Sequence, residues 1–366
     1  MENFIPISKP SITQLEIDKV TDAVTSTWIS SIGKYIDEFE TEFAAFCDTK
    51  YAVAVANGTV AIHLALECLG VGNGDEVIMP NLSFVATANS VLYARGVPVF
   101  ADIDPYNLCL DPADIERLIT PKTKAIMPVH LYGHPADMRE INRIAKKHNL
   151  LVIEDAAEAH GATIEGKKVG SWGDCATFSF YGNKNLTTGE GGMITTNDEK
   201  LYHKMRFLRD HGMSKEKRYW HTELGYNYRM TNLQAALGCA QMERVSEIME
   251  KRKQVYAWYE KYLKTNDRIS INKTSAWATN AYWLITLQVE GYKEEDRELL
   301  MQNLKLRGID SRPFFYPMSQ MPYINAKVET PVTDRVYKQG INLPTYFDLT
   351  EQEIKRVCEA VNSLLC

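Results

Sequence analysis

The first two-thirds of the 366-residue chain alternate short apolar runs with longer segments of helical periodicity. The runs are rich in Val, Ile and Ala, which is typical of strands buried on both faces. They lie at 51–56, 76–79, 98–101, 124–128, 150–154, 176–180 and 192–196. Helices fit between most of them, so the pattern predicts an α/β domain with a largely parallel sheet. In such sheets ligands bind at the carboxyl ends of the strands.

The last third of the chain does not continue this alternation. Residues 232–262 form one long amphipathic run, which we interpret as a single helix that leads into a second domain. Beyond it the pattern predicts a strand and two helices, at 282–289, 294–307 and 350–365. A chain of this length exceeds what one hydrophobic core usually organises. We therefore predict a large domain over residues 1–245 and a smaller domain over residues 246–366.

Charge and composition exclude several kinds of partner. The chain has 41 Lys and Arg against 47 Asp and Glu, a net charge of −6, and no basic block that would bind nucleic acid or an anionic membrane. No stretch approaches the roughly 20 apolar residues of a membrane span. Seven cysteines without a Cys-x-x-Cys pair fit a reducing compartment. We expect a soluble, cytoplasmic protein whose partners include neither nucleic acid nor membrane.

The densest cluster of residues that could carry chemistry spans 153–192. Asp155 follows directly on one predicted strand and Lys184 follows a later one, so both side chains can reach the same edge of the sheet. A partly desolvated lysine loses proton affinity and can attack a carbonyl to form a Schiff base. A nearby aspartate can serve the ring nitrogen of a cofactor. The alternative is a solvated loop lysine and a capping aspartate, and these two residues alone do not decide between the readings.

A second feature, further upstream, predicts an anion site. Gly58 and Thr59 directly precede a predicted helix over 60–69, in which apolar residues occupy almost every side of the helix. Free N–H groups and the positive end of the helix dipole attract phosphate there, although Thr59 could equally be only the N-cap. Ser179 could add a hydroxyl to the same site. A phosphate site beside a lysine and an aspartate favours the cofactor interpretation.

These residues lie in an ordered series of motifs that resembles the nucleotide-sugar aminotransferases, which belong to the aspartate aminotransferase superfamily of pyridoxal-phosphate enzymes. The motifs are Asn57-Gly-Thr59, Pro80-Asn-Leu-Ser-Phe84, Glu154-Asp-Ala-Ala-Glu158, Thr177-Phe-Ser-Phe180, Thr188-Gly-Glu-Gly-Gly192 and Gly225-Tyr-Asn-Tyr-Arg229. The resemblance spans essentially the whole chain. It implies the pyridoxal-phosphate fold type I, with a mostly parallel seven-stranded sheet between helices in the large domain and a smaller α+β C-terminal domain.

The resemblance also implies a role for each site residue. Lys184 would carry pyridoxal 5'-phosphate as a Schiff base and move a proton between substrate and cofactor. Asp155 would keep the pyridine nitrogen protonated, while Phe84 stacks on the ring and Glu158 lies at its edge. The phosphate would be bound by Gly58, Thr59, Ser179 and, from the neighbouring subunit, Asn227. The implied assembly is an obligate homodimer with shared active sites.

The implied reaction consists of two half-reactions on one lysine. L-glutamate converts the cofactor to pyridoxamine 5'-phosphate, which then aminates the ketone of a nucleotide-linked 4-keto-6-deoxysugar. A related branch of the family has histidine in place of the lysine and removes a sugar hydroxyl, so Lys184 favours transamination. No metal is expected, because His130 and His134 lack a cysteine or carboxylate cluster that would complete a site.

Four segments favour GDP-4-keto-6-deoxymannose as the sugar, because they resemble family members that aminate it for O-antigen assembly. They lie at 26–31, 129–134, 218–220 and 312–318. Trp28, Ser30 and Tyr316 are the candidate substrate contacts within these segments. Ser319 departs from the family, where histidine usually follows the Pro-Met pair, so a UDP- or dTDP-linked sugar stays open. A pyridoxal-phosphate-dependent sugar dehydratase and a non-catalytic sugar-binding regulator stay open as well.

Overall fold

A computed structural model describes residues 4–365 of the chain. Residues 1–3 and Cys366, the last of the seven cysteines, lie outside the described residues. Within 4–365 the strands are β1 (Tyr51–Val55), β2 (Glu76–Pro80), β3 (Val97–Ala101), β4 (Thr123–Ile126), β5 (Leu151–Asp155), β6 (Thr163–Ile164), β7 (Lys167–Lys168), β8 (Cys175–Ser179), β9 (Gly192–Thr196), β10 (Ile269–Ile271), β11 (Ala278–Thr279), β12 (Ile285–Val289), β13 (Arg312–Pro313) and β14 (Gly340–Leu343).

Helices separate most of these strands in the chain. They are α1 (Gln14–Thr25), α2 (Lys34–Phe46), α3 (Gly58–Leu69), α4 (Ala86–Tyr93), α5 (Pro112–Leu118), α6 (Met138–His148), α7 (Glu199–Arg209), α8 (Asn232–Glu243), α9 (Val245–Tyr262), α10 (Glu294–Leu306), α11 (Pro331–Gln339) and α12 (Glu351–Leu365). Short 3₁₀ turns lie at Leu131–Gly133 and Met318–Gln320.

The central sheet has seven strands in the order β1-β9-β8-β5-β4-β2-β3. Only β9 runs antiparallel to its neighbours, so the predicted mostly parallel seven-stranded sheet is confirmed. Side chains that alternate along β1 enter different hydrophobic clusters, Ala52 and Ala54 on one face, Val53 and Val55 on the other. Both faces are therefore buried, which explains why the strands read as continuous apolar runs.

Helix α3 lies against β8 and β9 and is flanked by α4 and α7. Its apolar positions run almost all round because it is buried on several sides, as the sequence predicts. The helix begins at Gly58, two residues earlier than predicted. Its N-cap is Asn57, whose Oδ1 accepts a hydrogen bond from the Val60 N–H at 3.0 Å. The alternative that Thr59 caps this helix is therefore wrong.

The single helix predicted over 232–262 is also wrong, because the structure has two helices, α8 and α9, that meet at Arg244. Arg244 has φ −103° and ψ 5°, outside the helical range. Its Nη1 donates to Glu16 Oε1 at 2.7 Å, which ties the junction to α1. Helix α6 begins at Met138 because Asp137 caps it through the N–H groups of Arg139 and Glu140.

The remainder of the chain forms a smaller antiparallel sheet in the order β10-β12-β14-β13, packed with α9, α10 and α12. Strands β11, β6 and β7 form a separate three-stranded sheet in the order β11-β6-β7. The α+β character expected for this part is confirmed, while the division of the chain at 245/246 stays a prediction. No helix within residues 4–365 has both the length and the apolar character that crossing a membrane requires.

Candidate active site

The predicted site residues converge at the carboxyl edge of the central sheet. Asp155 is the last residue of β5, Ser179 is the last residue of β8, and Gly58 opens α3 three residues after β1 ends. Strands β8 and β5 are neighbours, so the loop after β8 that carries Lys184 reaches the end of β5. The topology therefore brings together the lysine, the aspartate and the helix start that the sequence indicated separately.

Lys184 forms a buried ion pair with Glu158. The Lys184 Nζ lies 3.5 Å from Glu158 Oε1, and the Tyr132 N–H donates to Glu158 Oε2 at 2.9 Å. Burial lowers the pKa of Lys184 and raises the pKa of Glu158 to about 7, while the charge of each partner opposes the shift of the other. Both shifts favour the uncharged amine, which is the nucleophilic form of a lysine.

Trp283 completes the immediate surroundings of the lysine. The Lys184 Nζ lies 3.8 Å from the centroid of the Trp283 ring, and the Trp283 Nε1 donates to the Asn183 carbonyl at 2.8 Å. The indole is nearly parallel to the Tyr132 ring, with 6.2 Å between the centroids. No local sequence pattern indicates this contact, because Trp283 stands 99 residues after the lysine.

Asp155 is buried and its carboxylate is held at both oxygens. The Thr87 hydroxyl donates to Oδ2 at 2.8 Å and the Ala157 N–H donates to Oδ1 at 3.2 Å. Burial raises the pKa of Asp155, and the hydrogen bond from Thr87 and the charge of Lys184 oppose that rise. Thr87 was not predicted from the sequence; its only signal is its place three residues after the Pro80–Phe84 motif.

The start of α3 and the end of β8 form a cradle for an anion. A Cβ atom added to Gly58 would lie 2.8 Å from the Ser179 Cβ, so only glycine allows this approach. Asn57 accepts from Val60, and among the described residues no acceptor is found for the N–H groups of Gly58 and Thr59. The Ser179 Oγ accepts from the Tyr181 N–H at 3.3 Å and keeps its proton for a ligand.

This donor set fits pyridoxal phosphate. The cradle offers two helix N–H groups and a hydroxyl to a phosphate, Asp155 offers a carboxylate to a pyridine N–H, and Lys184 offers an amine to an aldehyde carbon. Phe84, predicted to stack on the ring, is 56% exposed and contacts the Phe315 ring at 5.9 Å between centroids. The Phe84 ring is therefore largely uncovered by the rest of the protein.

The candidate substrate residues Trp28 and Ser30 lie in an exposed segment before α2. Asn232, at the start of α8, holds this segment: its Nδ2 donates to the Trp28 carbonyl and its N–H donates to the Ser30 carbonyl, both at 2.6 Å. The Trp28 side chain is 58% exposed. Hydrogen bonds therefore fix the backbone of this segment, while the indole of Trp28 is exposed and can contact a ligand.

Asn227 and Tyr316 lie further out. Asn227 is exposed, and its Oδ1 accepts from the guanidinium of Arg229 at 3.0 and 3.1 Å. The Tyr316 hydroxyl donates to Glu294 Oε1 at 3.0 Å and accepts from Arg297 at 3.2 Å. Within residues 4–365 none of these hydrogen bonds reaches Lys184 or Asp155, so a single chain does not join Asn227 and Tyr316 to the lysine.

Ser319 is buried and does not face the open part of the site. Its Oγ accepts from Asn81 Nδ2 and its N–H donates to Asn81 Oδ1, both at 2.9 Å. Asn81 directly follows β2, so the pair ties the 3₁₀ turn at Met318–Gln320 to the central sheet. The sequence predicts that this segment lies close to the substrate. In the structure, the side chain of Ser319 instead binds Asn81 and so connects two parts of the protein.

Comparisons with known proteins identify the family of the chain. A family model described as the DegT/DnrJ/EryC1/StrS aminotransferase family matches residues 10–362. The chain is 49% identical to GDP-perosamine synthase of Caulobacter vibrioides over 99% of this chain and 98% of the relative. It is 43% identical to GDP-perosamine synthase of Escherichia coli O157:H7 over 98% of both. The PMP-form of the putative sugar aminotransferase Spr1654 from Streptococcus pneumoniae superposes with a TM-score of 0.94 at 29% identity, over 99% of this chain and 97% of that one.

The fold and the lysine-centred site define a pyridoxal-phosphate-dependent aminotransferase of fold type I, as the sequence predicts. More narrowly, the chain belongs to the DegT/DnrJ/EryC1/StrS aminotransferase family. The predicted resemblance and the predicted cofactor class are thereby confirmed.

Proposed function

We propose that this protein transfers the amino group of L-glutamate to the C4 ketone of GDP-4-keto-6-deoxymannose and so forms GDP-perosamine. The observation that carries the proposal is the identity of 49% and 43% to two GDP-perosamine synthases over at least 98% of each chain. Agreement over the full length leaves little room for inserted loops that would build a different sugar site. Lys184, which stands where the dehydrating branch has histidine, favours amino transfer.

Lys184 is the catalytic residue of this proposal. When bound, pyridoxal phosphate supplies an electron sink and carries the amino group between donor and sugar. Lys184 holds the cofactor and takes up or returns a proton at its Nζ, and Glu158, 3.5 Å away, can receive that proton because its pKa is raised by burial to about 7. Trp283 holds the lysine at the site through its ring face.

The cofactor would be held by three groups of contacts. Asp155 faces the ring nitrogen, and Phe84 lies against the ring. The phosphate is bound by the N–H groups of Gly58 and Thr59 and by the hydroxyl of Ser179. Asn227 of a second protomer completes the phosphate site, which makes the homodimer the functional unit. The exposure of Asn227 in a single chain supports this, because the side chain is available to a neighbour.

Trp28, Ser30 and Tyr316 would contact the nucleotide-linked sugar. The 58% exposure of the Trp28 indole on a fixed backbone supports its assignment, since an exposed aromatic face can stack on a ligand ring. We place the reaction in the cytoplasm, because the cysteines within residues 4–365 are free and buried, as in proteins of reducing compartments.

A panel of sugars tests the proposed function. The holoenzyme is incubated with L-glutamate and GDP-, UDP- or dTDP-linked 4-keto-6-deoxysugars, and amino-sugar and 2-oxoglutarate are quantified. We expect the highest kcat/KM with GDP-4-keto-6-deoxymannose and equal amounts of the two products. Preference for a UDP- or dTDP-sugar would overturn the substrate. A deoxysugar formed without glutamate consumption would show a dehydratase, and no turnover of any sugar would favour a binding protein.

A further inference from the structure

Thr87, on α4, forms a hydrogen bond with the carboxylate of Asp155. Thr87 is the second residue of α4 and is 1% exposed. Its hydroxyl donates to Asp155 Oδ2 at 2.8 Å. The other carboxylate oxygen accepts only a longer bond, 3.2 Å, from the Ala157 N–H. Thr87 therefore supplies the shorter of the two hydrogen bonds that fix the plane of the Asp155 carboxylate.

The direction of this hydrogen bond follows from the hydroxyl groups around it. The Ser83 Oγ lies 3.2 Å from the Thr87 Oγ1, and both side chains are buried. An ionised carboxylate has no proton to give, so Thr87 uses its single proton on Asp155 and accepts the proton of Ser83. The chain Ser83 to Thr87 to Asp155 thus presents donors toward the carboxylate, and each bond polarises the next.

We propose that Thr87 is a positioning residue that keeps Asp155 ionised and oriented toward the ring nitrogen of pyridoxal phosphate. The proposal rests on the cofactor role of Asp155 proposed above and is independent of the sugar. Burial by itself favours the neutral carboxyl group, and a hydrogen bond donated to the charged form favours the carboxylate. A neutral Asp155 could not keep a proton on the ring nitrogen, so the bond from Thr87 would maintain the electron-accepting form of the ring.

Other charged or titratable groups also face Asp155. Lys184, in the loop after β8, and His130, in the loop after β4, favour its ionised form, whereas Glu158, after β5, disfavours it when charged. None of these contacts is altered by Thr87→Val, which removes the hydroxyl and keeps the shape of the side chain. The variant therefore isolates the contribution of the hydroxyl.

The test is the ¹⁵N chemical shift of ring-labelled pyridoxal phosphate bound to the full chain, followed as a function of pH. This shift reports the protonation of the ring nitrogen and does not depend on turnover. In the wild type we expect a protonated ring from mildly acidic to mildly alkaline pH. In Thr87→Val the carboxylate binds a proton more tightly, so we expect the proton to move from the ring nitrogen toward Asp155 and the ¹⁵N shift in this pH range to move toward its unprotonated value. The ratio of the two forms should change by about tenfold, the size expected for a charge-assisted hydrogen bond. Thr87→Ser, which restores the hydroxyl, should behave as the wild type.

Thr333→Val is the matched control, because the Thr333 hydroxyl donates at 2.8 Å to another buried carboxylate, that of Asp102. It should lower stability to a similar extent and leave the ¹⁵N shift unchanged. If Thr87→Val does not fold, Ser83→Ala takes its place and should move the ¹⁵N shift in the same direction by less.

Two results are decisive and distinct. A wild-type ring that is already unprotonated would overturn the role proposed for Asp155. A protonated wild-type ring with no change in Thr87→Val, or in Ser83→Ala as its substitute, would overturn the role of Thr87 alone.

Discussion

At the scale of single residues, the proton between Lys184 and Glu158 decides what the site can do. The two groups are 3.5 Å apart, and burial moves both pKa values toward the neutral pair. Burial therefore narrows the gap between the two pKa values and brings the pair toward a balance in which either group can hold the proton. This balance arises from burial and from the Tyr132 N–H on Glu158, features that a list of sequence motifs does not contain.

Replacing Glu158 with glutamine should flatten the pH dependence of stability of the cofactor-free protein. The pKa of Glu158 is raised by burial from 4.5 to about 7, so between these values the folded protein binds more protons than the unfolded chain. The stability that Glu158 contributes should therefore be greatest below about 4.5 and fall as pH rises to about 7, by roughly 1–3 kcal/mol. Glu158→Gln cannot titrate and should lack this fall. Denaturant unfolding at the two ends of the window measures the difference.

Glu250→Gln is the control for this experiment, because the Glu250 side chain is 76% exposed. It should reproduce the wild-type dependence on pH. An unchanged fall in Glu158→Gln would contradict the shifted pKa.

Sequence motifs identified Lys184, Asp155, Gly58 and Ser179 because each stands at the end of a strand or the start of a helix in a recognisable series. Trp283 and Thr87 were missed for a physical reason. Their contacts join segments separated by 99 and 68 positions in the chain, and their residue types are common in ordinary cores. Only the packed structure shows that they touch the lysine and the aspartate.

At the scale of elements, the predicted bounds of the seven central strands agree with the structure to within two residues, because burial on both faces imposes an apolar run on each. The strand predicted at 282–289 begins three residues later, at Ile285. The junction of α8 and α9 was missed. Apolar residues continue at helical spacing across it, from Met242 through Val245 to Ile248, so periodicity carries no sign of a break. The break depends on Arg244, whose side chain bonds to Glu16 more than 200 positions away.

The start of α3 provides a prediction for the phosphate cradle. Gly58→Ala places a Cβ 2.8 Å from the Ser179 Cβ, so the helix start and β8 must separate. We expect the affinity for pyridoxal phosphate to fall by roughly tenfold or more, which corresponds to about 1.4 kcal/mol. A titration of the apoprotein followed by absorbance measures it. The control is Gly182→Ala, where an added Cβ meets nothing closer than 3.9 Å, and equal affinities in both variants would contradict the cradle.

Ser319→Ala tests whether this residue selects the substrate. The substitution removes one hydrogen bond between the 3₁₀ turn and the end of β2, while Asn81 Nδ2 keeps its bond to Thr330 Oγ1 at 2.8 Å. We expect the free energy of unfolding to fall by about 1 kcal/mol. The ratio of kcat/KM between GDP- and dTDP-linked ketosugars should stay the same. A changed ratio would show that Ser319 contributes to nucleotide choice.

At the scale of the whole molecule, the proposed site is complete only when two chains associate. Asn227 is exposed in one chain and would bind the phosphate of the other, so two differently damaged chains should complement each other. In a mixed dimer of Lys184→Ala and Asn227→Ala, one site carries both changes and the other carries neither. Random pairing makes half of the dimers mixed, which predicts recovery of about a quarter of wild-type activity at limiting cofactor.

The experiment mixes the two unfolded variants, refolds them together and measures aminotransferase activity. Each variant refolded alone is the control and should stay well below the mixture. A mixture no more active than the average of its parents would place Asn227 in its own chain's site, or outside any site.

In the proposed reaction, nitrogen moves from an amino acid to a sugar through a site that depends on Lys184. The most direct measurement is mass spectrometry of the sugar product after incubation of the holoenzyme with ¹⁵N-labelled L-glutamate and GDP-4-keto-6-deoxymannose, beside the Lys184→Ala variant. We predict that the wild type gives a GDP-linked amino-sugar that carries the label, and that Lys184→Ala loses activity by roughly 10²–10⁴-fold or more. A wild-type product without ¹⁵N, or labelled product formed equally well by Lys184→Ala, would contradict the account.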